Sequence, residues 1–537
     1  MSTKSRDQER VLRIAWGLVA AGAFGLVIVI RIRLLGIPLE RDEGEYAYAG
    51  QLILQGVPPY KLAYTMKFPG TYAVYAAIMS MFGQTVTGIH FGLLIVNAAA
   101  IILMFLIGRH LVDSVVGLAA ATSYAVLSIS PSVLGFAGHA THFVLLPVLG
   151  GILLLLKATD RQTSGSLFAS GFLFGLGVLM KQPAVFFPIF GATYLIANNA
   201  YRRFRFRKIV VRALIFSAGV ILPFGITCLL LWRLGVFQRF WFWTIDYARQ
   251  YGSLVPVSQA PRIFVDSVME VIRVGCPIWM LVGIGLLAGF WEKRTRPIAV
   301  FLLTFVFFST LALCAGFYFR LHYFILLLPA VSLLAGLAIG RLSDVVQHKI
   351  IVVRFLPILL LGFALAWPIL ADRRFFFEAS TAEASRVIYP ESPFVESIRI
   401  AAYLREHTTR SDTIAVLGSE PQIYFYSDRR SATGYIYTYG LMEPQKYAGE
   451  MQHEMIRDIE RARPKFLIFV VMPDSWLQRP ESERSIFTWA NEYTAQNYVV
   501  AGFVNMVAPD KTDYYFENVP QSVPQLGKYI LIYRRKS

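Results

Sequence analysis

Twelve apolar stretches follow one another over the first 370 residues, at 11–30, 69–83, 88–108, 115–130, 140–156, 167–180, 183–200, 209–234, 267–291, 297–316, 319–340 and 350–370. A perpendicular helix needs about 20 such residues to cross a bilayer, and only helices or closed barrels satisfy their backbone in hydrocarbon. A chain with so many of these stretches is expected to be a polytopic α-helical membrane protein. The composition agrees, with 56% hydrophobic and 16% charged residues where a soluble domain carries about a quarter charged. Cys228, Cys276 and Cys314 all fall in apolar stretches and form neither a metal spacing nor a disulfide framework.

The net charge of +17 raises the question of nucleic acid, but the excess sits in short clusters between apolar runs: Lys4 to Arg10, Tyr201 to Lys208 and Glu292 to Arg296. No compact basic domain exists, so no nucleic-acid partner is expected. Clusters of this kind hold loops on the cytoplasmic side, and anionic lipid headgroups are their expected partners. The basic stretch followed by Val11 to Ile30 reads as an uncleaved first span with a cytoplasmic N-terminus, longer than a signal-peptide core. Parity then places the first loop outside, Tyr201 to Lys208 inside, the loop from about 237 to 265 outside, and everything after Arg373 outside. Six segments between the first loop and Arg202 break that parity. The pair 167–180 and 183–200, separated by Lys181-Gln182-Pro183, is expected to form one bent span, which leaves about 11 transmembrane helices.

After Phe377 the composition turns to mixed polar, charged and aromatic residues. Helical periodicity is expected over Val395 to His407 and Lys446 to Arg463. Strands are expected at Thr413 to Leu417, Lys465 to Val471, Tyr498 to Val504, Asp513 to Phe516 and Tyr529 to Tyr533. The alternation predicts an α/β layer domain. The chain thus divides into a transmembrane domain over 1–374, with a first extracytoplasmic loop at 34–69, and a soluble extracytoplasmic α/β domain over 375–537.

Chemistry is concentrated in the loop from Leu39 to Gly70, which packs Glu40, Arg41, Asp42, Glu43, Glu45, Lys61 and Lys67 into an otherwise apolar chain. Asp42 and Glu45 have capping-box spacing, so Asp42 reads equally as the cap of a helix running to Gln55 or as a catalytic carboxylate. Lys67 reads as a snorkelling lysine or as a ligand for a lipid phosphate at the same depth. Tyr46, Tyr48, Tyr60, Tyr64 and Tyr72 suit an interfacial belt and a sugar-binding wall alike. Arg320, His322 and Tyr323 form a second cluster, either an interfacial anchor or a phosphate grip. His139 and His142, spaced i, i+3 in an apolar run, are ionisable groups within a span, yet two histidines fall short of a metal site. Trp241, Trp243, Asp246, Arg249 and Tyr251 read as an interfacial helix.

Arg41-Asp42-Glu43-Gly44-Glu45-Tyr46 followed by Lys67-Phe68-Pro69 resembles the first periplasmic loop of GT-C glycosyltransferases. The similarity is greatest to the protein mannosyltransferase and aminoarabinose transferase group, whose loop reads Asp-Glu-x-x-Tyr and then Lys-Pro-Pro. Arg320-x-His-Tyr323 leading to Pro329, and Gly175 to Lys181, resemble two further elements of that group. The resemblance covers residues 10 to 340. It implies an inverting glycosyltransferase of a bacterial inner (plasma) membrane that uses a polyprenyl-phosphate-linked sugar and a glycan, lipid or protein acceptor. Asp42 would be the base and Glu43 a supporting carboxylate. Lys67, Arg320, His322 and Tyr323 would bind the donor phosphate, and Tyr46, Tyr64, His139 and His142 would contact substrate. No cofactor and no bound metal are expected, although the chemistry accommodates a divalent cation. Two other classes stay open on the residues alone. A transporter or flippase of a lipid-linked sugar would move it without covalent transfer, and a receptor-like protein would bind ligand through residues 378–537.

Overall fold

The computed structural model describes residues 3–291, 295–519 and 527–536, so part of the basic cluster at 292–296 lies outside the described residues. Among these, seven helices are long and apolar enough to cross a membrane: Asp7–Arg33, Val86–Leu111, Ala140–Arg161, Phe206–Arg233, Arg296–Leu313, Leu328–Val346 and Ile351–Ala371. Gly70–Phe82, Ser114–Leu127 and Ser164–Met180 are shorter apolar helices. The chain is an integral membrane protein. It divides into two compact units, one of residues 1–35, 90–228 and 255–378, the other of residues 36–89, 229–254 and 379–537.

In the first unit, helix contacts depend on small residues, which let backbones approach and gain dispersion contact where water offers no drive. A Cβ on Gly336 would lie 2.6 Å from the carbonyl oxygen of Val116, so Leu328–Val346 and Ser114–Leu127 meet backbone to backbone there. Two expected spans are corrected. The run 267–291 breaks at Gly275, where Ala260–Val274 and Cys276–Phe290 meet at 106°. The first of these helices is amphipathic, with Val271 buried and Arg262, Asp266, Glu270 and Arg273 exposed. Hydropathy ran on across the break because Gly275 joins two apolar faces. The run 319–340 becomes helical in α form only at Leu328, with Pro329 in its first turn; residues Leu321–Leu326 form a tight 3₁₀ segment. The suspected pair around Lys181 forms two separate helices, Ser164–Met180 and Phe186–Tyr201, with Lys181 extended between them and Gln182–Val185 in a 3₁₀ turn.

In the second unit, a six-stranded mixed sheet comprises β1 (Thr413–Leu417), β2 (Arg430–Ser431), β3 (Phe466–Val471), β4 (Tyr498–Ala508), β5 (Lys511–Phe516) and β6 (Tyr529–Arg535), in the order β2-β1-β3-β6-β4-β5. β1 runs parallel to β2 and β3, whereas β6, β4 and β5 join antiparallel. The near-continuous apolar runs of β1 and β3 are what a strand covered on both faces requires, and Ile414 to Leu417 and Phe466 to Ile468 are buried. The two expected helices are present as Phe394–Glu406, which buries Phe394, Ile400, Ala401 and Leu404 but leaves Ile398 exposed, and Ala448–Ala462, which buries Met451, Met455 and Ile459. Helix Ser485–Asn497 was not expected, since only Ile486, Ala490 and Thr494 on it are buried and its apolar signal is thin.

The segment Phe237–Gly252 is helical with a π turn over Phe242–Tyr247, a widening that inserts a residue into the helical ladder. Trp243 is buried there and stacks on Tyr64, with ring centroids 5.5 Å apart. It is therefore a packing residue of the second unit.

The first-loop helix Arg41–Leu54 packs on the segment after β1. A Cβ on Gly44 would lie 2.6 Å from the backbone nitrogen of Gln422 and 2.8 Å from its Cβ. Nothing in that contact can swing aside, since the nearest atom is backbone. Gly44→Ala is expected to cost about 1–3 kcal/mol of stability through overpacking, read as a lowered thermal midpoint of the purified protein. An unchanged midpoint would show that the helix can back away without loss.

Candidate active site

Helix Arg41–Leu54 begins at Glu40, whose carboxylate accepts the backbone N–H of Glu43 at 2.9 Å while Glu43 reaches back to the Glu40 N–H at 3.4 Å. This reciprocal capping box lies two residues earlier than the Asp42–Glu45 box expected from the sequence. Glutamate is not a favoured cap residue, so the Glu40–Glu43 spacing carries little signal of its own in the sequence. Asp42 stands in the first turn with its carboxylate on Lys67, while the cap is Glu40 and Glu43 is its buried reciprocal partner. Burial, followed by the nearby Asp42 and Glu43, holds the Glu40 carboxyl well above its usual range.

Lys67 supplies the other half of the cluster. Its Nζ lies 2.8 Å from Asp42 Oδ1 and 2.8 Å from Glu45 Oε2. Glu45 follows Asp42 by three residues, which puts both carboxylates on one helix face. The Glu45 side chain is held firmly: Thr65 Oγ1 donates to its Oε1 at 2.6 Å, and the Tyr72 hydroxyl lies 2.8 Å from the same oxygen. The Lys67 backbone is fixed as well. Gly56 ends the helix with φ +77°, and Tyr60, at φ +63°, donates its hydroxyl to the Lys67 carbonyl at 2.7 Å. A tyrosine in the left-handed region is uncommon and persists only where its surroundings hold it, here that bond and the Phe240 ring at 5.5 Å.

Asp42 and Lys67 are each 18% exposed and Glu45 only 3%, so one carboxylate is anchored and the other is reachable. The Tyr46 and Tyr437 rings flank the ammonium, at 4.7 and 5.6 Å. Burial works against the Lys67 charge, but Asp42 and Glu45 overcome it and hold the ammonium well above its ordinary value. Tyr46 packs on Tyr72 and Tyr75 and is itself buried, and Tyr64 is held against Trp243 with its N–H on the Gly434 carbonyl at 2.7 Å. Glu45 is legible in the sequence, three residues after Asp42, whereas Tyr437 lies almost 400 residues further along the chain and no local signal marks it.

The remaining candidates belong to the first unit. His139 and His322 stack with ring centroids 4.0 Å apart and 10° between planes, and Tyr323 meets His322 edge-on at 4.7 Å. Lys181 Nζ lies 3.7 Å from the centre of the Tyr323 ring, which brings the Gly175-to-Lys181 element and the Arg320-to-Tyr323 element together. Arg320 lies over the Tyr318 ring at 5.6 Å and follows Phe317 and Phe319, both in the left-handed region at φ +57° and +43°. His142 is buried within Ala140–Arg161 and takes no part in that stack.

Residues 67–227 match the family described as dolichyl-phosphate-mannose-protein mannosyltransferase. No curated protein matches the chain. Among solved structures, it is similar to ArnT from Cupriavidus metallidurans bound to undecaprenyl phosphate, at 13% identity and TM-score 0.62, over 96% of this chain and 97% of that one. The apo form of that protein gives 14% identity and TM-score 0.59, covering 97% and 98%. The archaeal oligosaccharyltransferase AglB from Archaeoglobus fulgidus, in complex with an inhibitory peptide and a dolichol-phosphate, gives 13% and 0.52, covering 94% and 75%. The chain has the GT-C fold that these proteins share.

Proposed function

We propose that this integral membrane protein is a glycosyltransferase that moves a sugar, with inversion, from a polyprenyl-phosphate donor to an acceptor at the extracytoplasmic face. The observation that carries the reading is the lysine held between two carboxylates, Lys67 with Asp42 and Glu45, in the loop that bears the family motif. The likeness to proteins bound to undecaprenyl phosphate and dolichol-phosphate supports the donor class.

In this reading Asp42 takes the proton of the acceptor nucleophile as that atom attacks the anomeric carbon. The bond from that carbon to the phosphate oxygen breaks, and the electron pair leaves with the polyprenyl phosphate. An inverting displacement needs a base on the face opposite the leaving group. The donor phosphate carries one negative charge and departs with two, and Lys67 stabilises the charge that grows. An ammonium has three N–H donors. Two are directed at Asp42 and Glu45, which leaves one for an anion. Arg320, His322 and Tyr323 are proposed as donor-phosphate ligands, and Tyr46, Tyr64, His139 and His142 as substrate contacts, on the resemblance alone.

The test offers purified protein a panel of undecaprenyl-phosphate sugars labelled in the sugar, with host membranes as the acceptor source. One donor is expected to give a labelled product and free undecaprenyl phosphate by mass spectrometry. Movement of intact donor across proteoliposomes with no product from any sugar would overturn the reading in favour of a flippase. Running the same assay with and without EDTA decides whether a divalent cation contributes.

A further inference from the structure

Directly before Asp42, Arg41 is bound by the C-terminal sheet. Its Nε donates to the Ser419 carbonyl at 2.7 Å and its Nη2 meets Glu420 Oε1 at 3.3 Å. Its guanidinium also lies over the rings of Phe394 and Tyr439, at 5.5 and 5.3 Å. Glu420 is fully buried, a costly position for a carboxylate unless its oxygens are paired. Both are. Ser475 Oγ donates to Oε2 at 2.7 Å and accepts the Ser419 N–H at 2.9 Å, which leaves Oε1 for Arg41.

Topology explains why these residues meet. Residues 418–420 follow β1 and residues 473–475 follow β3, and the two strands are parallel neighbours, so their carboxyl ends open side by side. Gly418 keeps that corner tight, since a Cβ there would lie 2.7 Å from Ser475 Oγ. The same edge of the sheet domain grips the helix twice more. Leu39 N–H donates to the Tyr426 hydroxyl, and the Ser431 N–H to the Tyr48 hydroxyl, each at 2.8 Å.

We propose that Glu420 is a positioning residue: through Arg41 it fixes the first turn of the helix and so the place of the Asp42 carboxylate beside Lys67. The C-terminal domain is then a working part of the transfer site rather than an appended module. This rests on the proposed function. A helix advances about 100° per residue, so bonds that fix the azimuth of Arg41 also fix that of Asp42. Loss of the clamp frees the first turn, which lies beyond the anchored Glu45, so the base can shift by local fraying while Glu45, held by Thr65 and Tyr72, keeps Lys67 in place.

The experiment compares Glu420→Gln, Ser475→Ala, Arg41→Ala and the Arg41→Ala/Glu420→Gln double variant in full-length protein, with the donor that supports transfer. Glu420→Gln is expected to lower kcat about a hundredfold, as for a misplaced catalytic group, with affinity for undecaprenyl phosphate changed by less than about twofold. Ser475→Ala is expected to lower kcat about tenfold by the same route. The double variant is expected to be no slower than Arg41→Ala, because the two residues act through one contact. The proposal is overturned if Glu420→Gln keeps near-wild-type kcat, if kcat and phosphate affinity fall together in protein that remains folded, or if the two effects multiply. Should Glu420→Gln fail to fold, Ser475→Ala decides by the same criteria. Wild-type turnover in Asp42→Asn would instead overturn the proposed function and leave the clamp a purely structural contact.

Discussion

Asp42→Asn is expected to lower sugar transfer by about a thousandfold, the scale of a positioned general base, while affinity for undecaprenyl phosphate stays within about twofold. The substitution suits the question because it keeps the shape of the side chain. Asparagine's carbonyl oxygen can still accept from Lys67, and Glu45 remains as the second partner, so the lysine does not lose its place. What disappears is the ability to take a proton. The decisive comparison is between kcat and donor affinity. A residue needed only to hold the loop would lose both along with folded protein, whereas a base loses the rate alone. Turnover within about threefold of wild type would exclude Asp42 as the base, since general-base contributions are far larger than that.

How far such a site can be read from sequence depends on what kind of contact makes it. The apolar helices are written in hydropathy, and the strands β1, β3, β4, β5 and β6 in short runs bounded by turns, so both were legible. The break at Gly275 was not, because an amphipathic helix and an apolar one can share a continuous hydropathic window. Within the loop, the concentration of charged residue types was legible, but the assignment of carboxylates to tasks was not. Glu40 and Glu43, and Asp42 and Glu45, offer the same spacing. What separates the two pairs is which one meets Lys67, and that follows from the path of the chain through Gly56 and Tyr60. Glu420 meets Arg41, with Ser475 behind it, because parallel strands place the ends of β1 and β3 together, and Tyr437 reaches Lys67 from the segment after β2. That information is stored in the fold and has no local period.

Lys67 is the second residue whose loss is expected to be severe. Lys67→Met should lower kcat by about 10²–10³-fold, as when one group stabilising a developing oxyanion is removed, and should weaken undecaprenyl phosphate binding as well. The simple variant carries a complication of its own. It leaves Asp42 and Glu45 facing each other without the cation that separates them, and breaking one partner of a buried ion pair costs about 3–5 kcal/mol. The Glu45→Gln/Lys67→Met pair removes one negative charge together with the positive one, so its stability should recover while transfer stays low. Recovery of transfer along with stability would show that Lys67 serves the fold and not the phosphate. The pH dependence supplies an independent check. A lysine whose pKa is raised above its ordinary 10.5 stays charged below that value and loses its proton only as the pH climbs through the raised one. Binding of undecaprenyl phosphate should therefore stay flat from about pH 7 to 10 in so far as it depends on Lys67, because its two carboxylates keep the ammonium charged throughout. A fall in binding centred near pH 9 that vanishes in Lys67→Arg would mean the lysine is losing its proton there. The two carboxylates would then not be holding the charge on which departure of the phosphate relies.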